Sequence, residues 1–180
     1  YTEWSGIFNE MIEAFRRFYV SIPMAIFLIA ILLYVFYGNM RNALLTMVAP
    51  LCTVFGGLMS LLLTAQPLSI SAVVGFVSVV GISTFHTCIL ITHYIEVLHE
   101  KGGDTVAATF ETIRDKFRPV LMVGLVASLG LLPASMAHGV GSQVQKPLAI
   151  VVVGGMLIGT LIILLVMPLL FRFVKVEETK

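Results

Sequence analysis

Two imidazoles are the side chains of this chain with the clearest capacity for chemistry. His86 stands in the stretch Gly81–Thr87 (GISTFHT), and His93 follows seven residues later, which on an α-helix is two turns along one face. Imidazole exchanges its proton near neutral pH, so this spacing suits a relay that carries a proton partway along a helix. Seven hydroxyls accompany the pair, Ser69, Ser71, Ser78, Ser83, Thr84, Thr87 and Thr92. Cys52 and Cys88 have no Cys-x-x-Cys or Cys/His ligand spacing; they read as small packed thiols, and no metal site or cofactor is expected from them. His99 and His138 fall in expected loops and are given no role.

The elements that position these residues follow from where charge is missing. The chain has 180 residues, 58% of them hydrophobic and 12% charged, about half the charged fraction of a soluble domain. Asp, Glu, Lys and Arg are absent over 18–40, 42–95, 119–145 and 147–171. A helix needs roughly 20 apolar residues to cross a bilayer. Three of the gaps hold one span each, and the second holds two, divided by a turn at Ala65–Pro67. The expectation is an all-α membrane protein with five spans near 22–37, 43–64, 70–93, 120–136 and 148–170. Both imidazoles then belong to the third span, where an ionisable group is costly and is a functional candidate by default. The competing reading keeps His86 neutral and bonded to a carbonyl, with His93 at the headgroups beside Tyr94.

Residues 1–20 read as an amphipathic lead-in, with Ile7, Met11, Phe15 and Phe18 on one face, followed by the bundle over 21–174 and a tail over 175–180. Residues 105–117 carry Val106, Phe110 and Ile113 on one face and are expected as a separate helix along the membrane surface. Arg41, Lys101, Arg114, Lys116, Arg118, Arg172, Lys175 and Lys180 share one side of a five-span chain, against Arg16, Arg17 and Lys146 on the other. The richer side is expected to be cytoplasmic, with the tail, which leaves the N-terminus outside. An outside N-terminus without an initiator Met suggests a piece cut from a longer protein. A net charge of +1 with no basic cluster gives no reason to expect nucleic acid.

Gly75, Gly81, Gly130, Gly154, Gly155 and Gly159, with Gly56, Gly57 and Gly124, are the expected points of close helix approach, since small residues let backbones meet in lipid. Pro50 and Pro133 are expected to kink their helices. The many hydroxyls of the third span place it at the bundle centre. A membrane-embedded enzyme is disfavoured, because no Asp or Glu lies within a span and neither His-Glu-x-x-His nor Gly-x-Ser-x-Gly occurs.

Three stretches carry a resemblance: Pro67–Ala72 (PLSISA) leading to Gly75, Phe76 and Gly81; Arg118–Met122 (RPVLM) with Gly130–Pro133 (GLLP); and 139–147 (GVGSQVQKP) with Gly154–Met156 (GGM). In this order the chain resembles the C-terminal membrane half of a resistance-nodulation-division (RND) efflux permease, most of all the heavy-metal (cation) efflux branch. The resemblance implies the last five spans of a twelve-helix bundle in a bacterial inner membrane, with the N-terminus of this piece periplasmic. It implies a proton-driven exporter of metal cations or small organic compounds. Its partners would be the lipid bilayer, the remaining N-terminal part of the same transporter, two further copies in a homotrimer, a periplasmic adaptor and an outer-membrane channel.

The sequence departs from that family at the proton relay. Phe85 stands where several relatives have Lys or Glu, His86 where Asn is frequent, and Val120 and Val123 where a Lys or Thr is found. His86, and after it His93, are the relay candidates that remain. Two alternatives keep the fold: a divergent permease without proton coupling, and a protein-translocation or assembly accessory subunit.

Overall fold

A computed structural model describes residues 2–139 and 141–174, and every regular element among them is an α-helix: α1 (Thr2–Tyr37), α2 (Met40–Thr46), α3 (Val48–Leu63), α4 (Ile70–Glu100), α5 (Thr105–Ser135) and α6 (Ser142–Phe171). Five stretches are long and apolar enough to cross a membrane, with α2 and α3 together forming the second. The tail at 175–180, and the side chains of Ile7, Met11 and Phe15 on the lead-in's apolar face, lie outside the described residues.

Local chemistry sets the helix boundaries. Asn39 caps α2 by accepting from the Arg41 amide, Ser69 caps α4 by accepting from Ala72, and Asp104 caps α5 by accepting from Val106 and Ala107. Each satisfies amides that the first turn leaves without partners. The expected single helix over 43–64 is interrupted at Met47. Pro50 accounts for the break, because its ring crowds the carbonyl of Thr46 four residues earlier and it has no amide to donate. Ala65 takes a φ of +50° where α3 turns into α4, which agrees with the turn expected at Ala65–Pro67.

The surface helix over 105–117 and the span over 120–136 are not separate. They form one 31-residue helix that runs through both Pro119 and Pro133. The expected boundary was Pro119, yet a proline costs a helix one hydrogen bond, and a neighbouring helix can compensate for it in a membrane bundle.

α6 is the hub. It packs against α3, α4 and α5, while α1 touches chiefly α2 and α4. The hydroxyl-rich α4 meets α1, α2, α3, α5 and α6, in keeping with the central place expected for it, while α6 packs most extensively. The hydroxyls do not explain that extensive packing. Ser78, Ser83, Thr84 and Thr87 all donate to carbonyls of their own helix, three or four residues back, so they say little about neighbours. Glycine says more. A Cβ on Gly154 would collide with Ser60, one on Gly155 would stand 2.9 Å from Val79, and one on Gly159 would stand 2.7 Å from the Cα of Thr53. Gly75 meets the Leu148 carbonyl at 3.0 Å in the same way. Gly81 and Gly130 depart from the expectation: no described residue lies within 4 Å of a Cβ at either, and Gly81 instead borders an open space between α4 and α5.

Two apolar clusters result. One joins Leu90, Ile91 and Tyr94 of α4 to Ala108 and Val120 of α5 and to Ile163, Met167 and Phe171 of α6. Tyr94 and Phe171 stack at its centre, with ring centroids 4.3 Å apart. The other joins Leu61, Ala72 and Val79 to Ile150, Val151 and Met156. Together they hold α4 and α5 side by side and antiparallel, which aligns their candidate functional residues.

Candidate functional site

A cavity of about 370 Å³ opens between α4 and α5, lined by Phe85, His86, Ile89, Lys116, Val120 and Val123 among others. Phe85, His86, Val120 and Val123, the four positions singled out in the sequence, therefore surround one space. Antiparallel packing explains the convergence, since His86 on α4 comes level with Val120 and Val123 on α5. His86 is 5% exposed, and its ring lies 6.4 Å from that of Phe85 at a 45° tilt. The carbonyl bond of the competing reading is not present; no hydrogen bond joins the His86 ring to another described residue. The walls are apolar, and Lys116 is the one ordinarily charged side chain that lines them. Such a site leaves an imidazole able to trade a proton with water, or with a group supplied from beyond this chain.

His93 also faces α5, as the seven-residue spacing requires, but it enters a different environment. Its Nε2 lies 3.5 Å from Asp115 Oδ2 on α5, and its Nδ1 lies 3.7 Å from Glu96 Oε2 on α4. Both distances suit an ion pair and are too long for an aligned hydrogen bond. The structure thus separates the two candidates, placing His86 in an apolar cleft and His93 among carboxylates. Sequence reasoning missed Asp115 and Lys116, because both were expected on a surface helix detached from the span. The signal that reveals them is the continuity of α5.

Beyond His93 the seam between α4 and α5 closes with Lys101 and Glu111, whose charged atoms are 2.8 Å apart. The hydrogen bond that Lys101 donates to Glu111, reinforced by the carboxylate's charge, pushes the Lys101 ammonium's pKa above its ordinary value. No group of three or more His, Cys, Asp or Glu able to hold a metal occurs among the described residues.

Residues 1–175 match the AcrB/AcrD/AcrF family. The chain belongs to that family. It is 37% identical over 169 residues to the cobalt-zinc-cadmium resistance protein CzcA of Cupriavidus metallidurans, covering 94% of this chain and 16% of that protein. It is 38% identical over 179 residues to the nickel and cobalt resistance protein CnrA of the same organism, covering 99% of this chain and 16% of the relative. A crystal structure of a heavy metal efflux pump superposes with a TM-score of 0.81 at 35% identity, over 92% of this chain and 16% of that one. The chain therefore spans about one-sixth of the length of these relatives. The RND resemblance, the membrane fold and the kinship with metal-efflux permeases are established at the level of family. Five helices of this fold account for one share of a much larger transporter.

Proposed function

We propose that this chain is the C-terminal membrane part of a proton-coupled RND exporter of metal cations in a bacterial inner membrane. The observation that carries the reading is the family match over nearly the whole chain together with relatives named for resistance to cobalt, zinc, cadmium and nickel. In this reading the N-terminal end of the piece is periplasmic and the seam at Lys101–Glu111 is cytoplasmic, as the asymmetry of Lys and Arg argues. The lead-in of α1 stands toward the periplasm and the tail toward the cytoplasm. The rest of the transporter, two further copies, a periplasmic adaptor and an outer-membrane channel are the partners the family implies. This part of the protein couples energy, and we place cargo recognition elsewhere in the transporter.

Within that reading His86 carries the proton. Its buried ring, its lack of a hydrogen-bond partner among the described residues and its place in a cleft between two spans support the role. An intramembrane ionisable group is expensive and is retained where it works. The test is metal export by the full-length transporter in inverted vesicles under an imposed proton gradient. His86→Ala should abolish gradient-driven export while leaving the amount of folded protein unchanged. Gradient-driven export that persists in His86→Ala removes His86 from the relay.

The second reading, a permease of this fold without proton coupling, is favoured by the apolar cleft that Phe85, Val120 and Val123 line, at positions where the resemblance implies ionisable or hydroxyl groups in some family members. It predicts that the wild-type transporter, in the same vesicles, ignores the gradient.

A further inference from the structure

The contacts of His93 carry an inference that the relay does not require. Both of its ring nitrogens face a carboxylate oxygen, one on its own helix at 3.7 Å and one on α5 at 3.5 Å. A neutral imidazole has one N–H and one lone pair, so one nitrogen would turn a lone pair toward an anion; imidazolium donates from both. The His93 side chain is 20% exposed, while Asp115 and Glu96 are half-exposed or more. A proton leaving the partly buried ring can therefore reach solvent past these carboxylates. The Nε2 atom itself is buried, as is the Thr112 hydroxyl on α5, and neither has an aligned hydrogen-bond partner among the described residues. Around His93 itself, α4 and α5 are joined by charge rather than by aligned hydrogen bonds.

We propose that His93 is a proton-operated clamp between α4 and α5, closed when the ring is imidazolium bridging Glu96 to Asp115 and released when it loses its proton. The groups around it are consistent with that role. From α4 it faces Glu96, and from α5 it faces Asp115. Lys101 and Glu111 lie further along the seam and are paired with each other at 2.8 Å. α3 contains no Asp, Glu, Lys, Arg or His, α6 has Lys146 at its opposite end, and α2 has Arg41. Arg172 follows α6 and Lys116 lines the cavity around His86. Among the described residues, Glu96 and Asp115 are the carboxylates within 4 Å of the His93 nitrogens. Deprotonation removes the charge that holds Asp115, and the N-terminal half of α5 is then tied to α4 by Lys101–Glu111 and apolar contacts alone.

The test uses the full-length transporter in lipid nanodiscs and reads no transport, so its result is independent of the His86 relay. With ¹⁵N-labelled histidine, the His93 ring signal is assigned by its loss in His93→Gln, and its proton binding is followed against pH. Asp115→Asn should weaken proton binding by about threefold or more, as removal of an adjacent opposite charge does, and Glu96→Gln should weaken it less. Amide hydrogen exchange in 105–118, corrected for its intrinsic dependence on pH, should accelerate as His93 loses its proton. In His93→Arg, which cannot lose its charge, exchange should stay slow at every pH. Proton binding unmoved by Asp115→Asn, or exchange in 105–118 indifferent to the state of His93, overturns the clamp. Should His93→Gln fail to fold, Asp115→Asn and His93→Arg decide the matter.

Discussion

Thr53 and Ser83 show what a hydroxyl contributes between membrane helices. The Thr53 hydroxyl lies 3.0 Å from Ser83 Oγ across the gap from α3 to α4, and Ser83 donates onward to the Val80 carbonyl. Both residues are buried. Such bonds contribute little in lipid, because each hydroxyl retains a carbonyl of its own turn as an alternative; Thr53 is 2.9 Å from the Pro50 carbonyl. A double-mutant cycle with Thr53→Val and Ser83→Ala should give a coupling of about 0.6 kcal/mol by denaturation in detergent. A coupling several times larger would mean that the pair is held by something other than this bond. His86 differs from these hydroxyls: its ring is buried beside Phe85 with no hydrogen bond to another described residue.

At the scale of elements, close approach to α6 governs the bundle. Gly159 has the Thr53 backbone at 2.7 Å from where a Cβ would stand, whereas Gly130 has nothing within 4 Å. Gly159→Ala must push α3 away from α6 and should cost about 1–3 kcal/mol, the range for overpacking a core. Gly130→Ala should be neutral or slightly stabilising, since alanine is the better helix former. Comparing the two by thermal unfolding in detergent checks the assignment, and equal costs would contradict it. At the start of α5, Asp104 accepts from two amides, at 3.0 and 3.1 Å, and Asp104→Ala should cost about 1 kcal/mol in the same assay.

For the whole molecule, the open question with mechanistic weight is which way the bundle faces. Positive residues gather at the end bearing the α4–α5 connection and the end of α6, and the positive-inside rule is the ground for the proposal that this end faces the cytoplasm. Single cysteines introduced at Gly102 and at Ser142, on opposite ends, should react with a membrane-impermeant maleimide from opposite sides of intact cells. Gly102→Cys should be shielded until the membrane is opened, and Ser142→Cys should react at once. The reverse pattern would invert the orientation and, with it, the side on which His93 meets water. The exposed apolar length of α1, including Phe27, Leu32 and Val35, is consistent with a helix at the rim of these five that faces lipid or further helices of the transporter.

The number of spans and their approximate limits were determined by the sequence itself, because charge is excluded from hydrocarbon so strongly that its spacing along the chain suffices. The turn at Ala65–Pro67 and the glycines of α6 were legible for related reasons: a backbone that must turn, and backbones that must touch, each restrict the residue type. Only the tertiary structure decided which faces meet. Hydroxyls that bond within their own helix give no sign of a neighbour, so they did not show how extensively α6 packs. Proline stops a soluble helix more reliably than a packed membrane helix, so α5 looked like two elements. Asp115 and His93 are 22 positions apart in the sequence and become partners because α4 and α5 run antiparallel. Neither residue type nor local spacing encodes that register, which the packing of Tyr94, Ala108, Val120 and Phe171 sets.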